Sequence, residues 1–101
     1  MNLLKEALEM LGKCGKSTED VRFVANSESW ATWDEFSPIA ALYDYDEGYG
    51  GAEVNPSLRV VGDDWWLERG EYDGSEWWEF KTLRPAPPEH NSHIDVTDRY
   101  A

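Results

Sequence analysis

The chain has 101 residues and a formal net charge of −12. This length suits one domain with a modest core, to which six Trp, five Tyr and three Phe would contribute much of the buried area. Cys14 is the single cysteine, which excludes an intramolecular disulfide, so a cytoplasmic location is expected. Direct binding of nucleic acid is disfavoured, because phosphate contacts need an excess of Lys and Arg.

The excess acid lies in the middle of the chain. Residues 28–79 hold fourteen acids and only two bases, Arg59 and Arg69, whereas the segments on either side are balanced in charge. Acidic tails are common, but this acid lies in the segment that is expected to fold. Self-repulsion at such a density destabilises the compact state. Because no catalytic motif appears in the sequence, the functional interpretation rests on this charge.

The N-terminal third predicts a helix and a strand. Apolar residues recur at helical spacing over residues 2–11, and Gly12 is the expected C-cap. The apolar pattern of this segment is broken by charges, which argues against a signal peptide or a membrane span. Residues 21–25 are predicted to form a strand with Val21, Phe23 and Ala25 on one face. This strand would extend the sheet predicted over residues 58–83.

A second helical segment is predicted over residues 33–43. Thr32 and Glu35 have the spacing of a capping box. Pro38 conflicts with an unbroken helix, because proline lacks an N–H and its ring meets the carbonyl four residues earlier. Either a short turn gives way to a second helix that starts at Pro38, or the helix is kinked; we expect an irregularity at 37–38. The residues expected to form a buried stripe are Trp33, Phe36, Ala40 and Tyr43.

An acidic, glycine-rich loop follows at residues 44–51. Its alternating carboxylates are similar to the start of a calcium loop, but Gly48 occupies a ligand position and Asn55 stands where a bidentate Glu is needed. The favoured interpretation is an acidic turn that displays Tyr45 and Tyr49.

Residues 58–83 predict three antiparallel strands joined by two tight turns. Asp73-Gly74 suits a type I′ turn, which pairs residues 65–71 with residues 76–82. Gly62-Asp63 suits a type II′ turn, which pairs Val60 with Trp65 and Leu58 with Leu67. Because side chains alternate along a strand, both registers place the same six residues on one face: Leu58, Val60, Trp65, Leu67, Trp78 and Phe80.

The opposite face of this meander carries charges and tryptophans. The predicted registers align Arg59, Trp66 and Lys81 in one row across the strands. Glu68 is expected opposite Glu79, and Glu71 opposite Glu76. Directly opposed like charges are unfavourable in a sheet, so a sequence selected only for stability would tend to avoid both pairs. They are either solvated or used for binding.

The predicted fold class is α+β. We expect an antiparallel β-meander of three to four strands with one or two short helices packed on one face. Residues 1–84 would form this domain, and residues 85–101 a Pro-rich, extended C-terminal tail. His90, His93 and Asp95 could ligate a metal, but their proline-rich surroundings favour a tail without metal, and no cofactor is expected.

In size, sheet-plus-helix pattern and acid concentrated between Glu28 and Glu79, the chain resembles the small acidic proteins that phages encode to disarm host defences. This group includes anti-CRISPR proteins and restriction inhibitors, several of which are DNA mimics. The segment from Tyr45 to Lys81 also resembles small phage proteins of unknown function. The resemblance is one of type and transfers no residue roles, but it implies an inhibitor that acts in the bacterial host cytoplasm.

The leading hypothesis is an inhibitor that occupies the basic nucleic-acid-binding groove of a host protein. Residues i and i+2 of a strand lie ~6.6 Å apart on one face, so rows of carboxylates can approximate phosphate spacing. The candidate acids are Glu68, Glu71, Asp73, Glu76 and Glu79 at the second hairpin, Asp63 and Asp64 at the first turn, and Asp44, Asp46 and Glu47 in the loop. The candidate aromatic anchors are Trp66, Trp77, Tyr45, Tyr49 and Tyr72.

Two alternatives stay open from sequence. The first is an interaction module that docks through exposed aromatics, with little dependence on charge. The second is an enzyme, in which a carboxylate pair such as Glu68 and Glu79 would perform acid–base chemistry. No nucleophile–base pair or oxyanion-forming loop accompanies that pair in the sequence, so an enzyme is not expected, and neither is a membrane partner.

Overall fold

Two helices pack on one face of a five-stranded antiparallel sheet. The computed structural model describes residues 1–45, 54–83 and 87–97. In chain order the elements are α1 (Leu3–Lys13), a 3₁₀ turn (Thr18–Asp20), β1 (Phe23–Ala25), β2 (Trp30–Ala31), α2 (Trp33–Ala41), β3 (Arg59–Val61), β4 (Trp65–Tyr72) and β5 (Ser75–Thr82). The strand order is β2-β1-β3-β4-β5. The α+β prediction is confirmed, with five strands where three to four were expected.

The second hairpin has the predicted register. Glu71 pairs with Glu76, Leu67 with Phe80, and Trp65 with Thr82. Asp73 and Gly74 have φ values of 51° and 85°, as both central residues of a type I′ turn require. Local turn chemistry is therefore sufficient to align these two strands.

The first hairpin is shifted by two residues from its predicted register. Val60 pairs with Leu67 rather than with Trp65, and the Gly62 N–H donates to the Trp65 carbonyl at 2.8 Å. The turn is thus centred on Asp63-Asp64, and Gly62 does not have a positive φ. Gly62 serves packing instead: a Cβ at this position would lie 2.1 Å from the Trp65 indole. A two-residue shift keeps every side chain on its predicted face.

The predicted core face of the meander is confirmed. Val60, Trp65, Leu67 and Trp78 are buried, with Leu58 and Phe80 packed against them. The Trp65 and Phe80 rings stack with centroids 5.9 Å apart.

Strand β1 is shorter than predicted and begins at Phe23. Phe23 and Ala25 share one face, as predicted, and Val24, which pairs with Val60, points into the core on the other face. Alternation within three residues is too short a pattern to distinguish the two faces when both carry apolar side chains.

Helix α1 begins with Asn2, whose side chain accepts from the Lys5 N–H, and ends later than predicted. Gly12 lies within the helix, and Gly15 at φ 70° is the left-handed residue that follows it. The Lys16 N–H reaches back to the Leu11 carbonyl at 2.9 Å, which is the Schellman pattern. Leu3, Ala7 and Leu11 form its buried face.

Helix α2 has the predicted capping box, in which Thr32 and Glu35 bond each other's backbone N–H groups. The bond from the Thr32 backbone N–H to the Glu35 carboxylate, followed by that from the Thr32 hydroxyl, lowers the pKa of Glu35. The helix continues through Pro38, so the two-helix alternative is wrong, and it ends at Ala41. Proline here removes one backbone hydrogen bond, while Phe36 and Ala40 on either side are buried and hold the helix against the sheet.

Candidate interaction surface

The sheet face opposite the helices is the candidate interaction surface, and we refer to it as the outer face. In the described part of the chain both helices pack on the other side, where the buried cluster lies. Pairing and side-chain alternation assign the outer-face residues. From one sheet edge to the other they are Trp30, Ala25, Phe23, Arg59, Val61, Trp66, Glu68, Gly70, Tyr72, Ser75, Trp77, Glu79 and Lys81.

Two tryptophan–glutamate pairs lie side by side on strands β4 and β5. The Trp66 Nε1–H donates to Glu68 Oε1 at 2.8 Å, and the Trp77 Nε1–H donates to Glu79 Oε1 at 3.0 Å. Glu68 and Glu79 are direct partners across the two strands. We call these four half-buried residues the Trp–Glu cluster. Its indoles orient two neighbouring carboxylates that would otherwise repel and splay apart.

Gly70 makes room for this cluster. It is paired with Trp77, and a Cβ at position 70 would lie 2.4 Å from Glu79 Oε1 and 2.5 Å from Trp77 Nε1. The indole and the carboxylate therefore lie directly across the glycine. A glycine inside a strand often marks such a close approach. Gly70 is therefore a sequence signal for the Trp–Glu cluster that turn chemistry and charge do not reveal.

Two cations partly offset the acids of the cluster. Arg59 is paired with Glu68, and Lys81 Nζ lies 3.4 Å from Glu79 Oε2. The predicted Arg59–Trp66–Lys81 row is correct for Trp66 and Lys81 but wrong for Arg59, because the shifted first hairpin places Val61 opposite Trp66. The resulting row of one arginine and two glutamates explains how a stable sheet accommodates directly opposed carboxylates.

The tip of the second hairpin presents a separate acidic and aromatic group. Glu71 and Asp73 are exposed, and Tyr72 between them is 77% exposed. The Glu71 carboxylate also accepts from the Gly74 N–H at 3.3 Å, which steadies the turn. These three predicted site residues are accessible to a partner.

Glu76 and Tyr45 are not accessible, which corrects their prediction as partner-binding residues. Both side chains belong to a buried polar network centred on Arg69. Arg69 Nη2 donates to Glu76 Oε1 at 3.0 Å and to the Tyr45 hydroxyl at 3.2 Å, while Nη1 donates to Glu6 Oε1 at 3.3 Å. Glu76 also accepts from the Val54 N–H at 3.0 Å.

The same network joins the N-terminal helix to the edge strand of the sheet. Glu6 accepts from the Tyr45 hydroxyl and from the Trp78 backbone N–H. Burial, followed by the hydrogen bond to Glu6, raises the pKa of Tyr45 to about 12. Arg69 and Glu76 have the alternation of core residues, so strand periodicity contained a signal for this network that the emphasis on acidic charge obscured.

The remaining predicted acids do not converge with the cluster into one patch. Asp63 forms an ion pair with Arg22, and Asp64 is exposed beside it. Asp44 accepts from the Asn2 side-chain amide at 2.8 Å. The other predicted loop residues, Asp46, Glu47 and Tyr49, lie outside the described residues.

The described ranges contain no group of three or more His, Cys, Asp or Glu side chains that could hold a metal ion. Within the same ranges, no helix has the length and apolar character needed to cross a membrane. Comparisons with protein-family models, with curated proteins and with solved structures found no match.

Proposed function

We propose that this chain is an acidic inhibitor that binds a nucleic-acid-handling host protein, such as a CRISPR–Cas effector, and blocks its nucleic-acid-binding groove by charge mimicry. The observation that carries the proposal is the Trp–Glu cluster. Two carboxylates there are aligned by indole N–H groups on a sheet face that no described helix covers.

The cluster has the chemistry that an arginine-lined groove recognises. A guanidinium pairs with carboxylates as it does with phosphates, and its flat face stacks on aromatic rings. Glu68 and Glu79 provide the charge, and Trp66 and Trp77 provide the flat surfaces beside it. Orientation of the carboxylates before binding lowers the entropic cost of ordering them in the complex.

The excess charge supports the same function at longer range. The chain carries −12, and the acidic hairpin tip lies on the same two strands as the cluster. A strongly negative protein is attracted to a basic groove before contact, which raises the association rate at low ionic strength. Glu71, Asp73 and Tyr72 would extend the contact beyond the cluster.

The test is a comparison of capture from bacterial lysate by the parent chain and by the double variant Glu68→Gln/Glu79→Gln. The double variant should lose a nucleic-acid-binding protein that the parent retains, and its affinity for that purified protein should fall by roughly 1–3 kcal/mol. The free energy of unfolding should change by less than ~1 kcal/mol, because these side chains are only half-buried.

Glu35→Gln is the matched control. It removes one negative charge at the α2 cap and leaves the outer face intact, so stability should fall while binding persists. Equal capture of the same protein by the parent and the double variant at low salt would contradict the assignment of the cluster as the binding surface.

A second candidate function is supported by exposed apolar side chains outside the Trp–Glu cluster. Trp30, Ile39 and Leu42 are 69%, 70% and 88% exposed, which suits a module that docks through apolar contacts. Salt distinguishes the two candidates: binding by charge mimicry should weaken steeply as ionic strength rises, whereas apolar docking should change little.

A further inference from the structure

A groove of about 590 Å³ lies on the outer face beside the Trp–Glu cluster, towards the β2 edge of the sheet. Strands β1, β2 and β3 and the loop between β1 and β2 form it. Its volume lies in the range of sites that bind small molecules. The lining residues are Arg22, Phe23, Ala25, Asn26, Glu28, Ser29, Trp30 and Arg59.

The groove collects the accessible arginines of the described chain. Arg69 is buried in the polar network, and the other two described arginines, Arg22 and Arg59, both line this groove. Arg22 forms an ion pair with Asp63, whereas Arg59 Nη1 donates a long hydrogen bond, 3.5 Å, to the Ser57 carbonyl. Arg59 thus keeps guanidinium N–H groups for a ligand. Because Asp63 neutralises Arg22 and Glu28 also lines the groove, Arg59 is the guanidinium that is available to an anion there.

Aromatic rings lie next to these charges. Trp30 is 69% exposed, so its indole face is open to a planar ligand, and Phe23 is half-buried in the groove wall. Trp30 and Arg59 are both paired with Ala25, from opposite sides, which places the indole and the guanidinium on one face across the smallest side chain of the strand.

The loop that closes the groove is held in place by hydrogen bonds. The Asn26 side-chain oxygen accepts from the backbone N–H groups of Glu28 and Ser29, both at 2.9 Å. The Ser27 N–H donates to Ser57 Oγ at 3.0 Å, which ties the loop to the segment before β3. The groove is therefore formed before a ligand arrives.

We propose that this groove binds a mononucleotide, a ligand that joins an aromatic base to a phosphate. The base stacks on Trp30, and Arg59 binds the phosphate, with Arg22 contributing at the far wall. Glu28 accepts from a ribose hydroxyl or from an exocyclic amine of the base. This site goes beyond the proposed inhibitor function: it uses none of the four residues of the Trp–Glu cluster, and Arg59 is the residue where it borders Glu68.

The charge of the chain favours a free nucleotide over a nucleic acid strand. Every additional phosphate of a polymer would meet the field of a protein with net charge −12, whereas a mononucleotide places its single phosphate beside the arginines. The groove is therefore expected to select against longer ligands.

The experiment is a calorimetric titration of the full chain with AMP, with adenosine, inorganic phosphate and a short single-stranded oligonucleotide as separate probes. AMP should bind saturably and more tightly than each of the other three. Arg59→Gln and Trp30→Ala should each weaken AMP binding by roughly tenfold, as the loss of a charge-assisted hydrogen bond or of a stacking contact implies. Lys13→Gln and Tyr72→Ala, which remove an exposed cation and an exposed aromatic elsewhere, should leave it unchanged.

Amide chemical shifts of the parent chain provide a readout that needs no variant: AMP should perturb residues 22–30 and 57–59. Absence of saturable AMP binding would overturn the proposal, as would binding insensitive to Arg59→Gln or shifts centred on the Trp–Glu cluster. Tighter binding of the oligonucleotide than of AMP would overturn the assignment to a small ligand.

Discussion

Arg69 and Glu76 form an ion pair in which Nη2 and Oε1 are 3.0 Å apart and both side chains are only 2% exposed. They lie on neighbouring strands on the core side of the second hairpin, below its acidic tip. The Arg69 guanidinium also lies over the Trp78 ring, 4.7 Å from its centroid. We assign the buried Arg69 charge a structural role, because the buried Glu76 and the half-buried Glu6 lie around it and need its positive charge.

Glu76→Leu should destabilise the fold by ~3–5 kcal/mol, because it leaves the Arg69 guanidinium buried without its main carboxylate partner. Equilibrium denaturation in urea measures this change. Lys81→Ala is the control, since it breaks an exposed ion pair with Glu79 and should cost at most ~1 kcal/mol. A loss from Glu76→Leu no greater than that from Lys81→Ala would show that Glu6 alone satisfies Arg69.

Tyr45 should titrate separately from the other tyrosines. Burial and the hydrogen bond to Glu6 raise its pKa from an ordinary value of 10.0 to about 12. Because the folded pKa lies above the unfolded one, the associated stability is complete below pH 10 and is lost as pH rises towards 12. Ultraviolet absorbance of tyrosinate should reveal a late step that Tyr45→Phe removes. A folded parent without that step would contradict the burial of this hydroxyl.

Trp65 and Trp66 are adjacent in sequence but should differ sharply in their effect on stability. Trp65→Ala should cost ~3–5 kcal/mol, because the indole is buried against Phe80 and Gly62. Trp66→Ala should cost clearly less, since its ring is half-buried on the outer face. Thermal denaturation of the two variants makes the comparison, and a larger loss from Trp66→Ala would mean that the two faces of β4 are reversed.

Gly70→Ala should disturb the Trp–Glu cluster while preserving the fold. The new methyl group would occupy the space of the Glu79 carboxylate and the Trp77 indole N–H, and these side-chain ends must move. Stability should change by about 1 kcal/mol or less, because glycine is itself unfavourable inside a strand. Binding to the captured partner should weaken roughly tenfold if the orientation of the carboxylates matters.

Glu79→Gln in the Gly70→Ala background identifies the cause of that weakening. If the methyl group acts through the carboxylate, the two substitutions together should cost less binding energy than the sum of their separate effects. Strict additivity would show that Gly70 acts on binding through some other part of the surface.

The sequence by itself determined the fold class and most of the core, because both depend on local rules. The Asp73-Gly74 turn sets the register of the second hairpin, and alternation then assigns Leu67, Trp78 and Phe80 to the core. The α2 cap at Thr32 and Glu35 is similarly local. Even the error at the first turn left these faces intact, since a shift of two residues preserves alternation.

Only the tertiary structure decided which charges are available to a partner. Glu76 and Tyr45 are polar residues that composition places at the surface, but a network with Arg69 and Glu6 buries them, and Glu6 is far from the other three in the sequence. The predicted register of the first hairpin places Arg59 beside Trp66, whereas the actual register places it beside Glu68. Strand periodicity places Arg69 and Glu76 on the core side, but the contacts of Glu6 and Tyr45 with them depend on which distant chain segments meet in space, and turn chemistry carries no information about that.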